Sequence, residues 1–187
     1  MGSGEYLVTA YAVTHHPPLP LTSVPMHPRA ADLISTLELR PHPEGGFYRE
    51  IHRSTSRVTT GDARGERSAI TTIYFLLVAG AASRWHQVDS DEVWHFYEGD
   101  PLELLELDAR ATTLARHRLG PVDGLVQRPM YTIPAGAWQA ARSLGDYTLV
   151  GCSVGPGFDF ADFRLLSDDP ALAAAVQDAW PQVASLV

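Results

Sequence analysis

The sequence has one cysteine, Cys152. A single thiol excludes an intramolecular disulfide and suits a reducing compartment. The residues before it, Tyr147 to Gly151, form an apolar strand pattern, so the thiol reads as a small buried hydrophobe. Positive charge is scarce too. The 14 basic residues are scattered arginines set against 22 acidic residues, for a formal net charge of -8. That argues against phosphate-backbone binding, which needs clustered cations, so no nucleic-acid partner is expected. No apolar run approaches the ~18 residues of a spanning helix, so no membrane partner is expected. The start, MGSGEYLVTAYAVTHHPPLP, lacks the basic head and apolar block of a signal peptide, which makes cytoplasm the default. Internal repeats and low-complexity tracts are also missing.

The 187 residues are enough for one domain with a sizeable core, and 45% of them are apolar. Ser68 to Val78, SAITTIYFLLV, is rich in β-branched and aromatic residues and reads as a strand. Strand-length runs recur at 102–108, 111–119, 125–134 and 147–154, separated by Gly/Pro turns. That rhythm predicts an all-β sandwich or barrel. Two short helices flank it. RAADLISTLEL (29–39) has helical spacing, and Asp168-Asp169-Pro170 is a helix start followed by ALAAAVQDAW and stopped by Pro181. Residues 5–12 suit a short edge strand. His15-His16-Pro17-Pro18 reads as an extended linker, since adjacent histidines there point to opposite sides. The polar stretch 54–67 reads as a solvated loop whose Arg57, Arg64 and Arg67 could reach an anionic substrate.

The chemistry concentrates in Gly80 to Gly99, GAASRWHQVDSDEVWHFYEG. It brings an imidazole, His86, and a carboxylate, Glu92, toward one place. Alternation then puts Glu92, Trp94 and Phe96 on one strand face and Val93, His95 and Tyr97 on the other. This stretch resembles the first motif of the cupin superfamily, G-x5-H-x-H-x3–4-E-x6-G, with Val88 in place of the second histidine. Pro134-Ala135-Gly136-Ala137-Trp138-Gln139 resembles the second motif, with Gln139 where a histidine belongs and Ser143 where an asparagine belongs. PHPEGGFYRE (41–50), SDEVWHFYEG (90–99), PAGAWQAA (134–141) and GDYTLVGCSVGPGFDFADF (145–163) together resemble a cupin group still labelled a domain of unknown function. That resemblance implies a single cupin jelly-roll barrel over 29–167. An arm or edge strand (1–28) would precede it, and a C-terminal helix (168–187) would pack on it. It also implies a homodimer.

Gly46, Tyr48 and Glu50 share a strand face and resemble the Gly-x-Phe-x-Glu strand of dTDP-sugar 3,5-epimerases, although Gly45 stands where that family has arginine. Tyr48 and Glu50 are thus candidates for substrate binding or for filling the barrel. Trp94, Phe96 and Trp138 would give a pocket flat apolar walls, or simply core. His86, Glu92 and Gln139 occupy three of the four positions at which metal-binding cupins hold Fe, Mn, Ni or Zn. One reading is therefore one divalent transition metal on this trio, with oxygenase or related chemistry. Without metal, Glu92 would orient His86 as a general base and Gln139 would hold a substrate carbonyl or hydroxyl. That reading is an epimerase, isomerase or lyase acting on a small polar or sugar-like substrate. A third is a ligand-binding cupin without turnover, with the trio as a buried hydrogen-bonded cluster. His95 reads as a sheet or dimer contact. His42, His52 and His117 have no second ligand at useful spacing and read as surface or turn residues.

Overall fold

The computed structural model describes residues 26–123 and 126–187. The edge strand expected over 5–12 and the His15–Pro18 linker lie outside these residues. The described strands are β1 (Arg40–Pro41), β2 (Phe47–Arg53), β3 (Arg57–Thr59), β4 (Glu66–Ser68), β5 (Thr71–Val78), β6 (Ala82–Val88) and β7 (Asp91–Gly99). They continue as β8 (Leu102–Leu107), β9 (Leu114–Leu119), β10 (Gln127–Arg128), β11 (Met130–Ile133), β12 (Trp138–Ser143), β13 (Tyr147–Gly155) and β14 (Phe163–Leu165).

Two six-stranded sheets carry the fold, ordered β1-β2-β5-β13-β7-β11 and β10-β9-β8-β12-β6-β14. They face each other as a jelly-roll barrel, as the turn-separated runs and the motif resemblance imply. Phe75, Leu77, Trp94 and Val150 of the first sheet meet Leu102, Leu104 and Leu119 of the second in one core cluster. Each such side chain contributes about 1.5–3 kcal/mol through burial.

The strand period of two decides which layer each neighbour joins. Leu104 faces the barrel interior, whereas Leu105 joins a second cluster on the outside of the same sheet. There Trp85, Leu107 and Trp138 pack under Val176, Val183 and Leu186 of the C-terminal segment. Within that segment, α2 spans Pro170–Ala179, and its N-cap Asp169 accepts from the Leu172 N–H at 3.0 Å.

The N-terminal helix, α1, spans Pro28–Thr36, shorter than the expected 29–39. Leu37 is its C-cap and Glu38 takes a positive φ of 52°, so Leu37 to Leu39 turn back instead of continuing the helix. Ala30 and Leu33 bury α1 against Leu76, Tyr147 and Leu149 on the outside of the first sheet. Residues 54–67 are not all loop, since β3 pairs with β4 as a hairpin. Two of its arginines are held by one carboxylate: Arg67 Nη2 lies 2.7 Å and Arg64 Nη1 3.3 Å from Asp162. Among the described residues no helix is long and apolar enough to cross a membrane.

Candidate active site

A cavity of about 300 Å³ opens into the barrel. β2 contributes Tyr48 and Glu50, β6 contributes His86 and Val88, β7 contributes Glu92, and β13 contributes Cys152. These all lie on inward-facing strand positions. Two further groups, His42 and Glu44, come from the turn between β1 and β2.

That turn depends on its paired glycines. Gly45 has φ +116°, and a Cβ there would collide with the Ala82 carbonyl oxygen. The close approach lets the Arg84 N–H bond to the Glu44 carbonyl at 2.9 Å, which pins the turn against β6. The Arg84 guanidinium adds a 2.6 Å bond to the Pro43 carbonyl. The Glu44 carboxylate is thereby pushed into the cavity, where Ser83 donates to its Oε1 at 2.9 Å.

The orientation of His86 follows from its backbone partner. Its Nδ1 lies 2.8 Å from the Arg84 carbonyl, which can only accept, so Nδ1 carries a proton. In neutral imidazole, Nε2 is then a lone pair, and it faces Glu44 Oε2 at 3.3 Å. His42 presents Nδ1 to the same oxygen at 3.4 Å and accepts from the Glu44 N–H at 3.3 Å, so its Nδ1 is a lone pair as well. Two acceptors cannot face each other stably unless a proton lies between them. Burial lowers the pKa of His86 and of His42 and raises that of Glu44. Both shifts disfavour an imidazolium–carboxylate ion pair at the Glu44–His86 contact.

Glu92 lies deeper in the barrel. Gln139 Nε2 donates to its Oε2 at 2.6 Å, and Trp94 Nε1 donates to Gln139 Oε1 at 2.9 Å. Burial raises the Glu92 pKa, His86 opposes this in part, and the neighbouring Glu44 adds to it. Cys152 sits beside Glu92, and burial first, then the neighbouring Glu92 and Glu44, holds its thiol pKa well up. At the mouth Arg53 grips Glu50 through Nε (3.0 Å) and Nη2 (2.6 Å) and reaches the Phe158 carbonyl through Nη1 at 2.9 Å. Phe158 and Phe160 wall the opening.

Of the residues singled out in the sequence, His86, Glu92, Tyr48 and Glu50 lie on the cavity. Gln139 stands behind Glu92, and Trp94, fully buried, stands behind Gln139. Phe96 packs against the interior core rather than the cavity. Trp138 corrects the expectation most sharply. It neighbours Gln139 on β12, so it points to the opposite face and lies under the C-terminal segment. Sequence reasoning missed Glu44 and placed His42 in a turn without a site role. Their one signal was the His42-x-Glu44 spacing before the glycine pair.

The trio His86, Glu92 and Gln139 does not suit a metal ion. The Gln139 carbonyl oxygen is taken by the Trp94 indole and its amide nitrogen by Glu92. Val88, at the position of a second imidazole, supplies no donor. Among the described residues no group of three His, Cys, Asp or Glu side chains is arranged to hold one.

The two facing sheets and this pocket between them define a cupin. Residues 31–166 match the family described as Cupin superfamily (DUF985), and the chain belongs to it. It is similar to a hypothetical protein from Leishmania major, with 32% identity over 84% of this chain and 96% of that one and a TM-score of 0.73. It is also similar to a protein from Shewanella oneidensis, with 35% identity over 84% of this chain and 94% of that one and a TM-score of 0.70. Oxalate decarboxylase from Bacillus subtilis shares the fold alone, at 15% identity over 79% of this chain and 36% of that one with a TM-score of 0.51. No curated protein matches the chain.

Proposed function

We propose that the cavity is the active site of an enzyme that moves a proton next to a carbonyl on a small polar molecule, as an isomerase, epimerase or lyase does. The supporting observation is the approach of His86 Nε2 to Glu44 Oε2, 3.3 Å apart on the cavity wall. His86 acts as the base through Nε2, because the Arg84 carbonyl at 2.8 Å holds the proton on Nδ1. Glu44, whose carboxyl pKa burial raises, serves as the acid. An imidazole with its pKa lowered beside a carboxyl with its pKa raised makes an acid–base pair. Glu92 sets the field at His86, and Gln139 orients Glu92 instead of holding a substrate carbonyl. Tyr48 and Glu50 would contact the substrate nearer the mouth.

The test is solvent exchange. The protein is incubated in D2O with a panel of small aldehydes and ketones, amino-substituted ones included. NMR follows loss of the proton on the carbon next to the carbonyl. Wild type should exchange at least one compound, and His86→Gln should lose about 10²-fold or more of that rate. Exchange that survives in His86→Gln would remove His86 from the base role and sink the reading.

A further inference from the structure

The ionisable groups inside the cavity are mostly acidic. Three carboxyl groups face it, Glu44, Glu50 and Glu92, and one guanidinium, Arg53. Arg53 is already committed, with two nitrogens on Glu50 and the third on the Phe158 carbonyl. Arg84 acts on Glu44 from behind, but its guanidinium donates to the carbonyls of Pro43 and Glu44 at 2.6 and 3.4 Å. The sequence contains no lysine. Among the described residues no arginine forms an ion pair with Glu44 or Glu92.

The hydrogen-bonding character is unbalanced in the same direction. His86 Nε2 and His42 Nδ1 present lone pairs to Glu44 Oε2 at one end of the cavity, so these three atoms have at most the one carboxyl proton among them. An anionic ligand would bring further acceptors and a like charge into this group. A protonated amine brings the reverse: three N–H donors, no acceptor and one positive charge. The remaining walls also suit a cation. Tyr48, Phe158 and Phe160 line the cavity, and aromatic faces attract ammonium groups as well as hydrocarbon.

We propose that the ligand of this cavity is a small organic primary amine, bound as the ammonium ion with its nitrogen between Glu44 and Glu92 and its carbon skeleton against Tyr48, Phe158 and Phe160. This rests on the reading of the cavity as the active site and narrows its substrate to an amino-substituted carbonyl compound.

Proton bookkeeping follows directly. In the empty cavity burial favours the protonated form of both Glu44 and Glu92. When R–NH3⁺ enters, one carboxyl O–H bond breaks, the carboxylate stays with the ammonium, and the proton leaves to solvent. The other titratable groups facing the site are His42 and His86, held neutral by burial, Cys152, held as a thiol, and Tyr48 and the Glu50–Arg53 pair nearer the mouth. Affinity should therefore rise with pH while the carboxyls are still protonated.

The test uses the full chain and three probes of one size: n-butylammonium, n-butanol and butyrate. Cys152 is the only cysteine and lines the cavity, so its alkylation by iodoacetamide reports occupancy. Calorimetry in two buffers of different ionisation enthalpy counts the protons released. Butylammonium should protect Cys152 at roughly tenfold lower concentration than butanol, and butyrate should not protect. About one proton should leave per amine bound. Glu92→Gln and Glu44→Gln, checked for folding by circular dichroism, should erase most of the preference for the amine. Butanol or butyrate protecting as well as the amine, or amine binding without proton release, overturns the assignment. If none of the three binds by either measure the assignment also falls. The D2O exchange assay then reports separately whether the cavity is still the active site.

Discussion

The Trp94 indole nitrogen donates to Gln139 Oε1 at 2.9 Å, and this bond decides which way the Gln139 amide faces. With its oxygen taken, Gln139 must present its nitrogen to Glu92, at 2.6 Å. A fully buried tryptophan thus sets the hydrogen bonding of a cavity carboxylate through the amide between them.

Trp94→Phe should therefore act at a distance. It leaves Gln139 Oε1 buried without a donor, which costs about 1–3 kcal/mol. It also frees the amide to flip and withdraw its donor from Glu92, so the Glu92 pKa should rise further. Urea denaturation measures the first effect, and a pH titration followed by carboxyl NMR measures the second. An unchanged Glu92 titration would break the proposed relay.

Stability should depend on pH through Glu92 in a definite direction. Burial raises its folded-state pKa above the ordinary carboxyl value of about 4.3. The folded form then holds the proton more tightly than the unfolded chain does. That contribution is fully present below about pH 4.3 and is lost as pH rises through the folded-state pKa. Glu92→Gln removes the loss. Relative to wild type, the variant should gain stability on going from pH 4 to pH 7. Thermal melts at a series of pH values check this, and a constant difference at all pH values would contradict it.

His86 and His42 work in the opposite sense. Burial lowers their folded-state pKa below about 6.5, so their neutral forms contribute stability above that pH. It is lost as pH falls from about 6.5 through the folded-state values. His86→Gln should flatten the acid limb of the stability profile between about pH 6.5 and 4. Melting curves across that interval decide it.

Trp138 separates the outer layer from the cavity. Trp138→Ala should cost about 3–5 kcal/mol, because it empties the cluster beneath α2. Under conditions where the variant stays folded, Cys152 alkylation should remain within about twofold of wild type, since adjacent strand residues face opposite layers. Alkylation rising far beyond that would place Trp138 at the cavity after all.

Elemental analysis tests the metal reading directly. With the oxygen of Gln139 taken by Trp94, the purified protein should carry well under one transition metal per chain, and His86→Ala should not change the amount. About one metal per chain, lost in the variant, would restore the trio as ligands.

The barrel is legible in local signals of the chain. Alternation, Gly/Pro turns and four motifs in order are local signals, and each strand reports its own period of two. The sequence also marked His86 and Glu92, which share one motif and face inward by that period. Only the tertiary structure decided what those groups touch. Glu44 precedes His86 by a whole hairpin and two strands, and it reaches the imidazole because Gly45 lets the turn close onto Ala82. Gln139 looked free to meet a substrate until the fold placed Trp94 against its oxygen. Trp138 looked like a pocket wall until the C-terminal segment covered the outer face of β12. Periodicity tells which side of a strand a residue takes, but which element packs against that side depends on contacts between distant segments.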